Sequence, residues 1–290
     1  MIMALRVARA IDLGPFSMYL RQRGIKHRIN EAGAQQELWV VNAADEPLVR
    51  DSYAALQRGD IQLEVVKSAL QRTSVPQRLV DTIWRVPVTM VFIFVTALLF
   101  PVTLGVESGE VGGWFQWLNF VSFDLLGDSV FFNDLTTTMA SGEFWRLLTP
   151  MFLHFGVLHI VFNLLWFWEI GRRIELMSSG LRLMALVLIS SLGSNLLQYY
   201  MTGPGFFGGM SGVVFGLLGY GLVWSRLIPS RDIGLPNAIY VFMLGFLVIG
   251  FSGLFDMLGL GSLANWGHLG GLVAGASVGL LSVGVHKASG

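Results

Sequence analysis

Six long apolar stretches follow residue 85, and they limit what this chain can fold into more than any other feature. They lie near residues 86–106, 151–171, 183–202, 211–228, 236–256 and 265–285. Each is close to the roughly 20 residues that an α-helix needs to cross a bilayer. Only 13% of the residues are charged, whereas soluble domains carry about 25%. We therefore expect an all-α polytopic membrane protein with six spans.

The first 85 residues have a different composition. They contain 12 of the 19 Lys and Arg residues and 9 of the 19 Asp and Glu residues. Weakly alternating segments and two capped helical segments, 12–23 and 45–58, predict the order β-α-β-β-α. We therefore expect a small α+β domain over residues 1–70, a linker over 71–85 and the membrane domain over 86–290. His27, on a polar strand face, is expected to be solvated.

The distribution of charge predicts the orientation of the spans. Basic residues precede the first span, separate the second from the third and the fourth from the fifth, and follow the sixth. The loop 107–150 contains six acidic residues and one basic residue, Arg146. Basic loops stay in the cytoplasm, so both termini are expected there and the loop 107–150 outside. The chain has no cysteine and zero net charge, which excludes thiol chemistry and gives no sign of nucleic-acid binding.

Ser211 stands where a glycine-rich loop becomes an apolar helix. The surrounding segment is Gly-Gly-Met-Ser-Gly-Val-Val-Phe-Gly over residues 208–216. A serine at a helix start can cap the helix, or it can act as a nucleophile beside unpaired N–H groups. The four-residue spacing of Gly208, Gly212 and Gly216 predicts one bare helix face. Taken alone, this segment favours helix packing, and it is not the G-x-S-x-G elbow of α/β-hydrolases.

Three histidines fall within the predicted spans, where ionisable side chains are rare and usually functional. His154 and His159 open the second span, and His159 shares a helix face with Asn163. His268 opens the sixth span, which has a glycine at every fourth position from 267 to 279. The second, fourth and sixth spans run in the same direction, so these groups lie at similar depth. The glycine faces of the fourth and sixth spans would bring His268 toward Ser211.

Taken together, these residues resemble the rhomboid family of intramembrane serine proteases. The likeness is close to the bacterial GlpG type, which has an N-terminal cytoplasmic domain, and it extends over nearly the whole chain. It rests on the small domain, the Trp145-Arg146 pair, the H-x4-H-x3-N pattern from His154 to Asn163, the Gly209–Gly212 segment and the glycine repeat of the His268 helix. The resemblance implies a six-helix transmembrane bundle and an active site that opens to the periplasmic side of the inner membrane.

The resemblance also implies a role for each site residue. Ser211 would be the nucleophile and His268 the general base, without a third acidic member. The groups expected to hold the oxyanion are the side chains of His159 and Asn163 and backbone N–H groups at Met210 and Ser211. The residues expected to support the site without reacting are His154, Gly209, Gly212 and Phe215. No metal or other cofactor is required.

The implied function is an intramembrane serine endopeptidase that cleaves transmembrane segments of other proteins near the outer membrane face. Its partners would be those substrates and the lipid bilayer, with no nucleic acid; the oligomeric state stays open. One alternative is a catalytically silent rhomboid-like protein that binds or escorts membrane proteins, although both the serine and the histidine are present. A transporter is a weaker alternative, because no acidic pair lies at mid-depth.

Four further residues have expectations of their own. Many family members carry tyrosine where this chain has Phe215, and we expect the phenyl ring to stay packed on His268. Glu169 is expected to pair with Arg172 and Arg173. Asp256 is expected to take no part in a triad. The fifth span carries no proposed catalytic residue and has three glycines, so we expect it to act as a lateral gate against the second span, near Phe162.

Overall fold

A computed structural model describes residues 2–61, 82–106, 109–127, 129–257 and 263–288. Most of the predicted linker 71–85 lies outside these ranges, as does most of the segment 257–264 between the fifth and sixth apolar stretches. The chain divides into two compact units, Met1–Gln77 and Arg78–Gly290. Each unit has its own hydrophobic core.

The N-terminal unit has the predicted order of strands and helices. Its elements are β1 (Ile2–Ala8), α1 (Gly14–Gln22), β2 (His27–Ala32), β3 (Gln35–Val40) and α2 (Asp45–Arg58). The sheet is antiparallel in the order β1-β3-β2. Its core is formed by apolar residues of the strands and of both helices, including Phe16, Leu38 and Val49. His27 is half-buried and contacts Ser17 Oγ at 2.7 Å, so the expectation that it is solvated is wrong.

The second unit begins with an apolar helix and a compact loop region. Its elements are α3 (Pro87–Leu99), a 3-10 turn (Phe100–Thr103), α4 (Gly113–Leu118), β4 (Phe123–Leu126), β5 (Ser129–Phe132), α5 (Leu135–Ala140) and two more 3-10 turns (Phe144–Leu147 and Thr149–Phe152). Arg146 is buried and donates to the carbonyls of Gln116 and Asn119 at 2.6 and 2.9 Å. It therefore ties the end of this loop region to α4.

Five more helices complete the second unit. They are α6 (Val157–Met177), α7 (Gly180–Thr202), α8 (Ser211–Leu227), α9 (Asn237–Gly250) and α11 (Asn265–Ala288), with a 3-10 turn (Pro229–Arg231) and the short α10 (Leu254–Met257) between them. The apolar stretch predicted as the second span starts at residue 151, but α6 begins only at Val157. Gly156 has φ +99°, a conformation that breaks the helix before that point, so His154 precedes the helix.

The described helices differ in how well they suit a bilayer. Two of them, Gly180–Thr202 and Asn265–Ala288, are long and apolar enough to cross it by length and composition. Three apolar helical segments are shorter, namely Pro87–Thr103, Ser211–Leu227 and Asn237–Gly250. Helix α6 is long enough but carries four charged residues in its second half. The fold is predominantly helical with a small N-terminal sheet, and the count of six membrane spans stays a proposal.

The charged residues of α6 make local and long-range contacts. Glu169 pairs with both Arg172 and Arg173, as their spacings of three and four residues predict. Glu175 is buried and accepts from the backbone N–H groups of Val88 and Thr89 at 2.9 and 2.8 Å. The N-terminal N–H groups of a helix have no partner within that helix, so Glu175 caps α3 from another part of the chain.

Glycines bring α8 and α11 into backbone contact. A Cβ atom on Gly271 would overlap the carbonyl oxygen of Gly212, and one on Gly275 would overlap that of Gly216. The two helices are parallel, because both numbers rise together along the interface. Gly208, which the spacing placed on this face, instead precedes α8 and packs against the carbonyl of Pro150. The contact places the first turn of α11 beside the start of α8.

Candidate active site

The first turns of α8 and α11 bring Ser211 and His268 together. His268 Nε2 lies 2.8 Å from Ser211 Oγ. Ser211 is the first residue of α8 and His268 lies in the first turn of α11, so the glycine interface sets their separation. This distance lets the serine hydroxyl donate to Nε2. The pair has the geometry of a nucleophile beside its base.

The imidazole of His268 packs against an aromatic ring. Its ring stacks on Phe215 at a centroid distance of 4.9 Å and an interplanar angle of 30°. Its Nδ1 is buried without a hydrogen-bond partner in the described part of the chain. The side chain of Asp256, weighed as a third member, lies outside what the structure describes.

His159 and Asn163 converge on the loop just before Ser211. A Cβ atom on Gly209 would lie 2.7 Å from His159 Nε2 and 3.5 Å from Asn163 Nδ2. Gly209 also has φ +110°, a conformation that side chains rarely adopt. Both the space and the backbone therefore require glycine here. The two side chains therefore lie against Gly209, two residues before Ser211, where their N–H groups can act as donors.

The imidazole of His154 is hydrogen-bonded to the same loop, at Met210. The backbone N–H of Met210 donates to His154 Nε2 at 3.2 Å. The proton of this imidazole must then be on Nδ1, which donates to the carbonyl of Phe152 at 3.1 Å. The N–H of Met210 was predicted as an oxyanion donor, but this bond occupies it. The N–H groups of Ser211, Gly212 and Val213 have no acceptor within α8, so that of Ser211 is a candidate backbone donor.

Helix α7 contributes polar groups that the sequence reasoning did not single out. A cavity of about 10 Å³ is lined by Ser194, Asn195 and Gln198 together with Ser211 and His268. That is about the volume of one water molecule. Gln198 Oε1 accepts from the backbone N–H of Gly267 at 2.9 Å, one residue before His268. The four-residue spacing of Ser190, Ser194 and Gln198 within an apolar stretch was the available signal.

Comparison with known proteins agrees with this arrangement. The Rhomboid domain family matches residues 141–284, and the Rhomboid N-terminal domain family matches residues 1–67. The chain is 30% identical over 274 residues to a protein of Serratia proteamaculans (strain 568) named Rhomboid protease GlpG, covering 90% of this chain and 89% of that relative. The pairing of Ser211 with His268 lies inside the first match. The chain therefore belongs to the rhomboid family of integral membrane proteins.

Proposed function

We propose that this protein is a serine endopeptidase that cleaves transmembrane segments of other membrane proteins with a Ser211–His268 dyad. The observation that carries the proposal is the 2.8 Å contact between His268 Nε2 and Ser211 Oγ. Family membership supports the same activity, since a relative similar over most of its length is named a protease. The escort alternative gains nothing from the site, because serine and base are both in position.

The reaction follows from the positions of the side chains. His268 Nε2 takes the proton of Ser211 while Oγ attacks the substrate carbonyl carbon. His268 then gives that proton to the leaving amine, and the acyl-enzyme remains on Ser211. Water, activated by the same imidazole, releases the acid product. Stacking on Phe215 keeps the imidazole oriented, which in triads is done by a carboxylate at Nδ1.

The negative charge of the tetrahedral intermediate would be held on the α6 side of Ser211. His159 and Asn163 supply side-chain N–H donors, and Ser211 supplies its own backbone N–H. Preorganised donors of this kind stabilise the charge because they need no rearrangement during the reaction. His154 acts indirectly, because its bond to Met210 fixes the turn from which Ser211 projects. No step requires a metal ion.

The proposed setting is a bacterial inner membrane with six spans and both termini in the cytoplasm. The spans correspond to α3, α6, α7, α8, α9 and α11. The starts of α6, α8 and α11 would then face the periplasm, where water reaches Ser211. Substrate helices enter from the lipid and unwind locally, because a helical peptide bond is shielded by its own turn.

A fluorophosphonate probe tests the activated serine. The wild-type protein should be labelled in detergent and should cleave a model transmembrane substrate. Ser211→Ala and His268→Ala should each lower cleavage by about 10³-fold or more, because members of one catalytic unit fail together. Ser225→Ala, in the same helix but two turns or more away, should keep full activity. Cleavage by Ser211→Ala at the wild-type rate would disprove the dyad, and a chelator should have no effect.

The domain boundaries 1–70, 71–85 and 86–290 are also part of the proposal, with the N-terminal domain as an accessory. Every proposed catalytic residue lies in the unit Arg78–Gly290. A chain that starts near Val80 should therefore insert into membranes and cleave the model substrate at a rate close to that of the full chain. A truncated protein that keeps its thermal unfolding transition but loses cleavage would contradict this.

A further inference from the structure

A groove lies between the end of α3 and the loop region that follows it. Its volume is about 550 Å³, within the range of about 300–1,000 Å³ that is usual for small-molecule sites. Its apolar lining comes from Pro101, Val102, Leu104, Val111 and Phe115. None of these residues takes part in the proposed cleavage. The groove is therefore a separate feature of the membrane unit.

The lining combines one carboxylate with one exposed indole. Glu110 is the only ionisable side chain among the described residues that line the groove. Trp114, also in the lining, is 69% exposed. A carboxylate beside an indole attracts an ammonium group through charge and through the aromatic face. An anionic headgroup would be repelled by this carboxylate, and the described lining has no basic side chain to attract it.

The position of the groove indicates where such an ammonium ligand comes from. One wall is the 3-10 turn that ends α3, the first proposed span. Trp114 and the neighbouring Trp117 are both exposed, and exposed tryptophans favour the level of the lipid headgroups. An apolar groove with a carboxylate in its lining matches a lipid whose acyl chain lies along the groove. In this setting an ammonium ligand is a headgroup of the outer leaflet.

We propose that this groove binds phosphatidylethanolamine, with the ammonium group at Glu110 and an acyl chain against Val102 and Leu104. The placement rests on the proposed membrane orientation but not on the cleavage chemistry. Glu110 is exposed, and an ion pair at an exposed site supports a preference of up to about fivefold. The groove therefore selects among lipids of the same chain length by the charge of the headgroup.

A lipid in this groove would contact the support of the candidate active site. The 3-10 turn that forms one wall ends at Thr103, whose hydroxyl donates to the carbonyl of His154 at 2.5 Å. His154 in turn accepts from the N–H of Met210, beside Ser211. A lipid that holds the turn in place therefore stabilises the contact of Thr103 with His154, which is linked in turn to Met210, the residue before Ser211.

Native mass spectrometry of the full-length protein tests the site directly. The protein is mixed with dioleoyl phosphatidylethanolamine and dioleoyl phosphatidylglycerol at equal concentration, and retained lipids are counted. The wild type should retain the ethanolamine lipid about fivefold over the glycerol lipid. Glu110→Gln should remove most of that preference. Asp124→Asn, which removes an exposed carboxylate from β4 outside the groove, should leave it unchanged.

Thermal unfolding in detergent gives a second readout that needs no cleavage. Added ethanolamine lipid should raise the Tm of the wild type and of Asp124→Asn more than that of Glu110→Gln. Equal retention of both lipids by the wild type would overturn the proposal. The same follows if Glu110→Gln keeps the wild-type preference and the wild-type shift in Tm. These outcomes are independent of whether Ser211 is the nucleophile.

Discussion

Two helices of the membrane unit, α11 and α9, pack against their neighbours in different ways. Helix α11 meets α8 through glycines, so that the backbones themselves are in contact at Gly271 and Gly275. Helix α9 meets α6 through side chains, with a ring contact between Trp166 and Phe242 at 6.0 Å. Backbone contact leaves no adjustable atoms, whereas side chains can change rotamer. The pair that carries Ser211 and His268 is therefore the rigid one.

The ends of α9 are fixed to different degrees. Before its N-terminal end, Arg173 donates to the carbonyl of Gly234 at 2.5 Å, and Ile233 and Leu235 are buried. Toward its other end, Val248 is 71% exposed, and Asn265 donates to the carbonyl of Gly250 at 2.7 Å. Helix α9 has 14 residues, or about 21 Å of length, less than the roughly 30 Å of a bilayer core. The N-terminal end is therefore held by buried apolar residues and a hydrogen bond. The other end is held by the bond from Asn265 to Gly250, which opening of α9 as a lateral gate would have to break.

A side chain placed inside the α8–α11 interface should have the largest effect on stability and on labelling of Ser211. Gly271→Leu puts a side chain where the carbonyl of Gly212 already lies. Because backbone cannot move aside, we expect a loss of about 3 kcal/mol or more in stability and loss of fluorophosphonate labelling. Gly284→Leu is the matched control, since nothing lies within 4 Å of a Cβ atom there and it is in the same helix.

One result for Gly271→Leu would show that the α8–α11 contact is not rigid. If that variant unfolds at the same temperature as Gly284→Leu and still reacts with the probe, the α8–α11 contact is adjustable. Rigidity would then not explain the position of His268.

Cross-linking α6 to α9 should give the next largest effect. The chain has no cysteine, so Trp166→Cys with Phe242→Cys can be joined by a short reagent with two thiol-reactive groups, without reaction at other cysteines. If substrate enters between these helices, the joined protein should lose cleavage of a transmembrane substrate. If the reagent has a cleavable spacer, cutting that spacer should restore cleavage of the transmembrane substrate. Fluorophosphonate labelling should persist throughout, since Ser211 is not touched.

Wild-type cleavage by the fully joined protein would show that substrate enters elsewhere. A single-cysteine protein, Trp166→Cys, treated with the same reagent is the control for chemical modification. It should cleave at the rate of the untreated protein.

The comparison also explains which parts of the site could be predicted from the sequence. Ser211, His159 and His268 are polar residues in apolar stretches, and their order along the chain fixes their depth. Depth and the glycine repeats were enough to expect a close Ser211–His268 pair. The hydrogen bond of Met210 to His154 was not predictable, because it depends on the loop before α6 turning at Gly156.

Other features escaped prediction because spacing identifies a helix face but not its neighbour. Ser194 and Gln198, which share a face of α7 with Ser190, line the cavity beside Ser211, although serine is common at any membrane helix contact. The gate was predicted near Phe162, which is 56% exposed. The described ring contact between α6 and α9 joins Phe242 to Trp166, one turn after Phe162, and the gate itself stays a prediction.

Removing the ring of Phe242 should have the smallest effect of these changes, and it tests most directly whether α9 opens away from α6. Phe242→Ala removes an aromatic contact worth about 1 kcal/mol, so opening of α9 should cost less. We expect cleavage of a transmembrane substrate at least as fast as in the wild type, with a lower Tm. Cleavage of an unstructured soluble substrate, which does not need the gate, should change little. Val241→Ala, at the adjacent exposed position, should alter neither rate. Slower cleavage of the transmembrane substrate by Phe242→Ala would mean that this ring guides substrate rather than closing its path, and α9 would then be a docking wall instead of a gate.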